Sequence, residues 1–235
     1  MTRTLFSLAL CILSATSHAA LFGRAPITPG GEDFQAYYDD TLGITWLADA
    51  NYAATSGYSA DGKMTWGESL NFIGTLNTGA LLGLTGWRLP NMVDVGGDGC
   101  PEEVSPHGVD CGYNTDPAYG EMTSMFYDTL GNVAFFYPDG NAPQPGWGLQ
   151  NTGPFSGLVS SLYWYAQEDV TNTNEAWYFG MPSGAQRPRE KDSLHYAWAV
   201  IDGDALSPVP VPGALWLFFS ALGLLGCLRR FSTPR

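Results

Sequence analysis

Six carboxylates, Asp94, Asp98, Glu102, Glu103, Asp110 and Asp116, crowd into one short stretch of the chain around Val95-Gly96-Gly97-Asp98-Gly99. A flexible, oxygen-rich loop of this kind is what a hard cation requires, and calcium is the cofactor it suggests, with Asp94, Asp98, Glu102 and Asp110 as ligands. The spacing fits no EF-hand, because the bidentate Glu at the twelfth position is missing. An acidic loop that is merely solvated accounts for the same residues. A second set is aromatic and amide-rich: Trp147, Trp164, Trp177 and Tyr178, with Asn151, Asn172, Asn174 and Glu175 nearby in sequence. Flat rings match the apolar faces of pyranoses and amides match their hydroxyls, so these residues are candidates for sugar stacking. Aromatics in a small β-rich domain also fill its core. Trp147, between Gly146 and Gly148, is the one expected to be exposed. A third candidate is Arg88 in Gly86-Trp87-Arg88-Leu89-Pro90, read either as a ligand-binding cation or as a fork paired to a carboxylate and holding loop backbone. The structural role for Arg88 and Trp87 is the favoured one.

Catalytic chemistry has less to draw on. Between residues 20 and 208 the histidines are His107 and His195, and no G-x-S-x-G elbow or metal-binding histidine pair occurs. Asp39 and Asp40 are adjacent, so in a strand they point to opposite faces. A glycosidase needs two acids converging across a cleft, which spacing alone does not supply. The expectation is a protein that is not an enzyme.

The elements that would position these residues read as an α+β domain with one loop-rich side. FQAYYDDTLGITWL, residues 34–47, is a β-hairpin with Gly43 at positive φ. Thr65-Trp66-Gly67-Glu68 is a capping box that opens a helix to about Asn77, with Trp66, Leu70, Ile73 and Leu76 on one face. A second helix is expected over 117–130: Asp116 caps it, Met122, Met125, Phe126 and Leu130 form its face, and Gly131 ends it. Residues 163–166, 176–179 and 196–201 are short apolar runs bounded by turn formers, and read as strands.

Composition agrees. The chain has 235 residues, 14% of them aromatic, too many for a disordered chain, while 29 Gly and 16 Pro are unlike a helical bundle. With 10 basic residues against 23 acidic, nucleic acid is not an expected partner.

Both ends read as addresses. Arg3, an apolar run over 5–13 and the small residues Ser17 and Ala19 are the parts of a secretory signal peptide, cut after Ala19. Near the other end, the sixteen apolar residues 213–228 span about 24 Å as a helix and are followed at once by Arg229 and Arg230. With 209–212 added, the stretch approaches membrane-spanning length, and the arginines would keep the tail cytoplasmic. The region between, 20–208, carries six cations against 23 acids, a net charge of −17, which repels anionic polymers and favours cations or neutral ligands. It also keeps just Cys100 and Cys111, which an oxidising compartment would join as a disulfide.

The tail VPVPGALWLFFSALGLLGCLRR, Val209 to Arg230, resembles the PEP-CTERM sorting signal of Gram-negative bacteria, with Val-Pro-Val-Pro in place of Pro-Glu-Pro. That resemblance implies export, a transient inner-membrane anchor read by an exosortase, and a final place at the cell surface or in the extracellular matrix. The middle also has a likeness. DDTLGITWL, MTWGESLNFIGTL, GWRLPN, YWYAQE, AWYF and YAWAVIDGD, in that order, resemble the Lcl C-terminal-type domain across about 170 residues, 37–204. GEMTSMFYDTLGN and QPGWGLQNTGPFSGL look like the branch of that family found with PEP-CTERM tails. The resemblance implies a C-type-lectin-like fold, with two short helices, a twisted and largely antiparallel sheet, and long loops. It supplies no catalytic residues. Here Ile201-Asp202 stands where relatives often have Arg-Pro, so a carboxylate near that sheet end needs another cationic partner. The organisation expected is a signal peptide over 1–19, the domain over 20–208, and the sorting signal over 209–235. The function expected is an exported, non-catalytic binding module for extracellular polysaccharide. The alternatives are a structural matrix protein without a small ligand and, after that, a glycan-active enzyme.

Overall fold

The computed structural model describes residues 20–102 and 104–206; the segments expected to be a signal peptide and a sorting signal lie outside the described residues. The chain divides into two units, Met1–Ala205 and Leu206–Arg235, and the elements below belong to the first. Among the described residues no helix is long and apolar enough to cross a membrane.

The unit is mixed α+β and mostly sheet. A four-stranded sheet has the order β1-β2-β3-β10, from β1 (Leu21–Pro26), β2 (Phe34–Asp39), β3 (Ile44–Leu47) and β10 (Val200–Asp202). A six-stranded sheet has the order β4-β9-β6-β7-β8-β5. Its members are β4 (Lys63–Met64), β5 (Gly112–Tyr113), β6 (Leu162–Glu168), β7 (Glu175–Gly180), β8 (Ala185–Glu190) and β9 (His195–Tyr196). All the strand pairings are antiparallel except β6 with β9.

The expected hairpin is β2–β3. Gly43 at φ 66° lets the turn close, and its N–H donates to the Asp39 carbonyl at 2.9 Å. The capping box is also present at the start of α2 (Trp66–Thr78): Glu68 N–H donates to Thr65 Oγ1 at 3.2 Å, and Thr65 N–H to Glu68 Oε2 at 2.9 Å. The buried face of α2 differs from expectation. Ser69, Phe72, Ile73 and Leu76 point inward, whereas Leu70 is 39% exposed. The i, i+3, i+4, i+7 set that starts at Ser69 wins because its small first residue lets the helix approach the sheet.

The single helix expected over 117–130 is three pieces. A 3-10 turn, Pro117–Tyr119, is capped by Asp116, whose carboxylate accepts from Ala118 N–H at 2.9 Å. Then come α3 (Glu121–Ser124) and a wide π turn, Met125–Thr129. A short α1 (Tyr52–Thr55), not foreseen, precedes them. Gly120 makes the break. Its backbone is extended and bridges to Met92, while Val93 N–H donates to Tyr119 O at 2.8 Å and Glu121 N–H to Asn91 O at 3.0 Å. A side chain at 120 would lie within 3 Å of Gln186, Thr123 and the Tyr165 hydroxyl. The face made by Met122, Met125, Phe126 and Leu130 is nevertheless buried as expected.

The strand expected over 196–201 is divided between sheets. β9 pairs with β4 and β6, and β10 pairs with β3, so the segment joins the two sheets. Between them Trp198 is fully buried, rests on Trp46 with ring centres 4.5 Å apart, and donates its indole N–H to Leu47 O at 2.8 Å.

Strands β6 and β7 lie mid-sheet and are buried on both faces. Tyr163, Tyr165, Trp177 and Phe179 enter the core shared with Trp46, Met125, Phe126 and Trp198. Trp164, Ala176 and Tyr178 enter the core under α2 with Phe72, Leu76, Trp87 and Leu89. A side-chain period of two with both faces covered gives these strands their continuous apolar runs, 162–166 and 176–179.

Candidate functional site

The Gly-rich loop 131–153 is where a large aromatic ring stays in solvent. Buried Asn132 organises it: its Oδ1 accepts from the Gln150 and Asn151 N–H groups at 2.9 and 2.8 Å, and its Nδ2 donates to Asn151 O at 2.9 Å. Gly148 N–H donates to Val133 O at 2.9 Å, which carries Trp147 across Val133. Gly148 has φ 80°, and a Cβ there would sit 2.6 Å from Pro182 O, so glycine is required. Trp147 packs edge-on against Phe135, with ring centres 4.8 Å apart, and remains 39% exposed. With Gln150, Ser160 and Pro182 it borders an open depression of about 440 Å³. The Gln150 amide donates to Trp147 O at 3.0 Å and steadies that wall.

The other aromatics expected to stack on sugars are not available to them. Trp164 and Trp177 are fully buried and Tyr178 is 7% exposed. They belong to β6 and β7, whose two faces are both covered, so their rings are core. Asn174 is exposed, but it precedes β7 whereas Pro182 follows it. A strand of that length separates the two ends by about 17–20 Å, so Asn174 and Trp147 do not share a site.

In the acidic loop, where a cation site and a solvated loop are both readings, two of the four candidate carboxylates bond backbone. Asp110 Oδ2 accepts from Val95 N–H, and Asp94 Oδ2 accepts from Gly99 N–H at 3.2 Å, so both carboxylates hold loop backbone. Asp98 and Glu102 line a depression of about 280 Å³ with Asp110 and exposed His107. Among the described residues no three His, Cys, Asp or Glu side chains are grouped to hold a metal ion. Burial, and then the neighbouring Asp94 and Asp98, push the Asp110 carboxyl above its usual range, although the Val95 bond opposes this. Cys100 and Cys111 are disulfide-bonded, with Cα atoms 5.4 Å apart, and close this loop.

Arg88 serves the fold. Its guanidinium is bidentate to Glu121, at 2.7 Å for both bonds, reaches Asp202 Oδ1 from Nε at 3.0 Å, and donates to Leu89 O at 3.1 Å. Burial opposes its charge, but the Glu121 and Asp202 bonds outweigh burial and raise its pKa. One side chain thereby ties the Trp-Arg-Leu-Pro loop to the start of α3 and to β10. Asp202 thus obtains its cation from Arg88. Trp87 is buried, and its indole N–H donates to Leu81 O at 3.2 Å.

Among the buried ionisable groups, Asp39 and His195 carry pKa shifts that were not foreseen. Asp39 is fully buried in the hairpin turn, where it accepts from the N–H groups of Thr41 and Leu42 at 3.0 and 3.1 Å and from Thr129 Oγ1 at 3.1 Å. Burial raises its pKa against those bonds. His195 lies against Trp164 and Tyr178, with ring centres 4.3 and 5.4 Å away, and burial pushes its pKa down to about 4. The D-D-T-L-G turn was a signal for the first, since an Asp at that place caps its own turn. Nothing in the local sequence marks the second.

No protein family, curated protein or solved structure matches this chain.

Proposed function

We propose that the chain is an exported, non-catalytic domain of C-type-lectin-like type that binds a neutral glycan at the outer surface or in the exopolysaccharide matrix of a Gram-negative bacterium. The two end segments support the address: secretion by the N-terminal leader, then a transient membrane anchor handed to an exosortase by the C-terminal tail. The observation that carries the binding function is the half-exposed Trp147 ring, held by Phe135 beside Gln150 and Ser160. An aromatic face flanked by an amide and a hydroxyl offers a pyranose both dispersion and hydrogen bonds. The net charge of −17 over 20–208 favours a neutral polymer over an anionic one. Asp94 and Asp110 accept from the backbone N–H groups of Gly99 and Val95, which supports a binding mode that does not depend on calcium. The groups most suited to acid–base work, Asp39, Asp110 and His195, are buried and hold backbone or pack against rings, which supports a non-catalytic reading.

The test is a glycan array, followed by titration of each positive polysaccharide, with and without chelator, on the protein beginning at Ala20. Saturable binding to neutral glycans that survives chelation and is lost in Trp147→Ala, with the melting temperature unchanged within a few degrees, is the expected result. Binding unaffected by that substitution would place the site elsewhere. The absence of saturable binding would leave a matrix protein whose acidic surface serves hydration.

A further inference from the structure

The bond at which the leader is expected to be cut, Ala19–Ala20, adjoins a residue that contacts the domain. Ala20 N–H donates to Asp40 Oδ1 at 3.0 Å, and Ala20 O accepts from Asp40 N–H at 3.4 Å. The β1–β2 ladder then runs from Leu21 opposite Asp39 to Pro26 opposite Phe34. Ser17 and Ala19 are the small residues at the third and first positions before the Ala19–Ala20 bond. Cutting one residue later would put His18 at the third position and would also discard the Asp40 contact.

We infer that removal of the leader creates the ion pair that fastens the edge strand β1. This rests on the exported reading. Hydrolysis of the Ala19–Ala20 peptide bond by water leaves the Ala19 carboxylate on the departing leader and a free amine at Ala20. The amine takes up a proton at neutral pH and becomes an α-ammonium. A neutral amide that donates one hydrogen bond to Asp40 becomes a cation at the same position, with three donors and a full charge facing the carboxylate. Among the described residues β1 is an edge strand, paired on one side by β2, so its start frays unless it is tied down. The Arg24 guanidinium already clamps its middle, bonding Asp204 at 2.6 and 2.7 Å. The new terminus does the same for its beginning. The precursor lacks this charge, so the strand is fully fastened only after export.

The full chain, expressed with its leader in a Gram-negative host and purified in detergent, is first analysed by intact mass and N-terminal peptide mapping. A mature terminus at Ala20 is expected. An uncut chain would overturn the exported reading, and a cut at another bond would overturn the inference alone. In the second arm, protein prepared to begin at Ala20 is labelled with an amine-acylating reagent across pH, and the N-terminal peptide is followed by mass spectrometry. The α-amine should titrate about half a unit above its counterpart in Asp40→Asn, a substitution that keeps an acceptor oxygen but removes the charge. The difference should vanish in 1 M salt. Equal titration of the two proteins at low salt would overturn the ion pair, whatever the first arm shows.

Discussion

Acidification from pH 7 to pH 4.5 should cost the fold about 2 kcal/mol through one side chain, His195. Its ring is 7% exposed, lies between the rings of Trp164 and Tyr178, and has its Nδ1 at 2.8 Å from Leu194 O. Burial lowers its pKa most, the Leu194 carbonyl partly restores it, and nearby Arg189 and Lys63 lower it further, to about 4 from an ordinary 6.5. The unfolded chain therefore binds this proton more tightly than the folded one. The stability that His195 contributes is complete above pH 6.5 and is lost as pH falls toward 4. The full shift corresponds to about 3 kcal/mol, of which about 2 kcal/mol is lost by pH 4.5. For a domain of this size that is about 4–8 °C in melting temperature. Other groups titrate in the same range: Asp39, Asp110 and Asp128, raised by burial, act in the opposite direction, and Asp33 and Glu68, lowered by Thr28 and Thr65, act in the same one. Comparison with His195→Phe removes them, because they are common to both proteins. Urea unfolding of each at pH 7 and 4.5 should show the pH-dependent loss smaller by about 2 kcal/mol in the variant. Equal losses would refute the reasoning, as would an imidazole NMR titration of the native protein with its midpoint near 6.5.

Two further predictions concern the loops around the acidic stretch and the Arg88 cluster. Arg88→Ala leaves Glu121 part-buried without its bidentate partner, and should lower unfolding free energy by about 2–3 kcal/mol. Pairing it with Glu121→Gln should recover part of that loss in a double-mutant cycle, whereas strict additivity would refute the coupling. Replacing Cys100 and Cys111 together by Ser opens a loop of sequence separation 11 and should cost about 2–3 kcal/mol in chemical denaturation. Binding through Trp147 should survive that change, since its loop is organised by Asn132.

Sequence alone determined the features that close over a few residues. Gly43 makes the hairpin turn, Thr65 and Glu68 start α2, and Met122, Met125, Phe126 and Leu130 make an apolar face, because turn chemistry, capping and periodicity act locally. What each element packs against was decided by the tertiary structure. Trp164 and Trp177 were candidates as binding rings although core is the commoner place for such aromatics; with both faces of β6 and β7 covered, they are core. Strand β8 was not foreseen because AQRPRE is polar and contains a proline. It lies between β7 and β5, but β5 pairs with just Ala185 and Gln186, so Pro188 lies beyond the pairing on that side and a missing donor is tolerated. His195 is an ordinary histidine in sequence, and its low pKa exists because Trp164 and Tyr178, far from it along the chain, exclude water from the ring. The acids of the 94–110 loop were legible as a cluster. Their bonds to Val95 and Gly99 depend on the path of the loop, which spacing along the chain does not give.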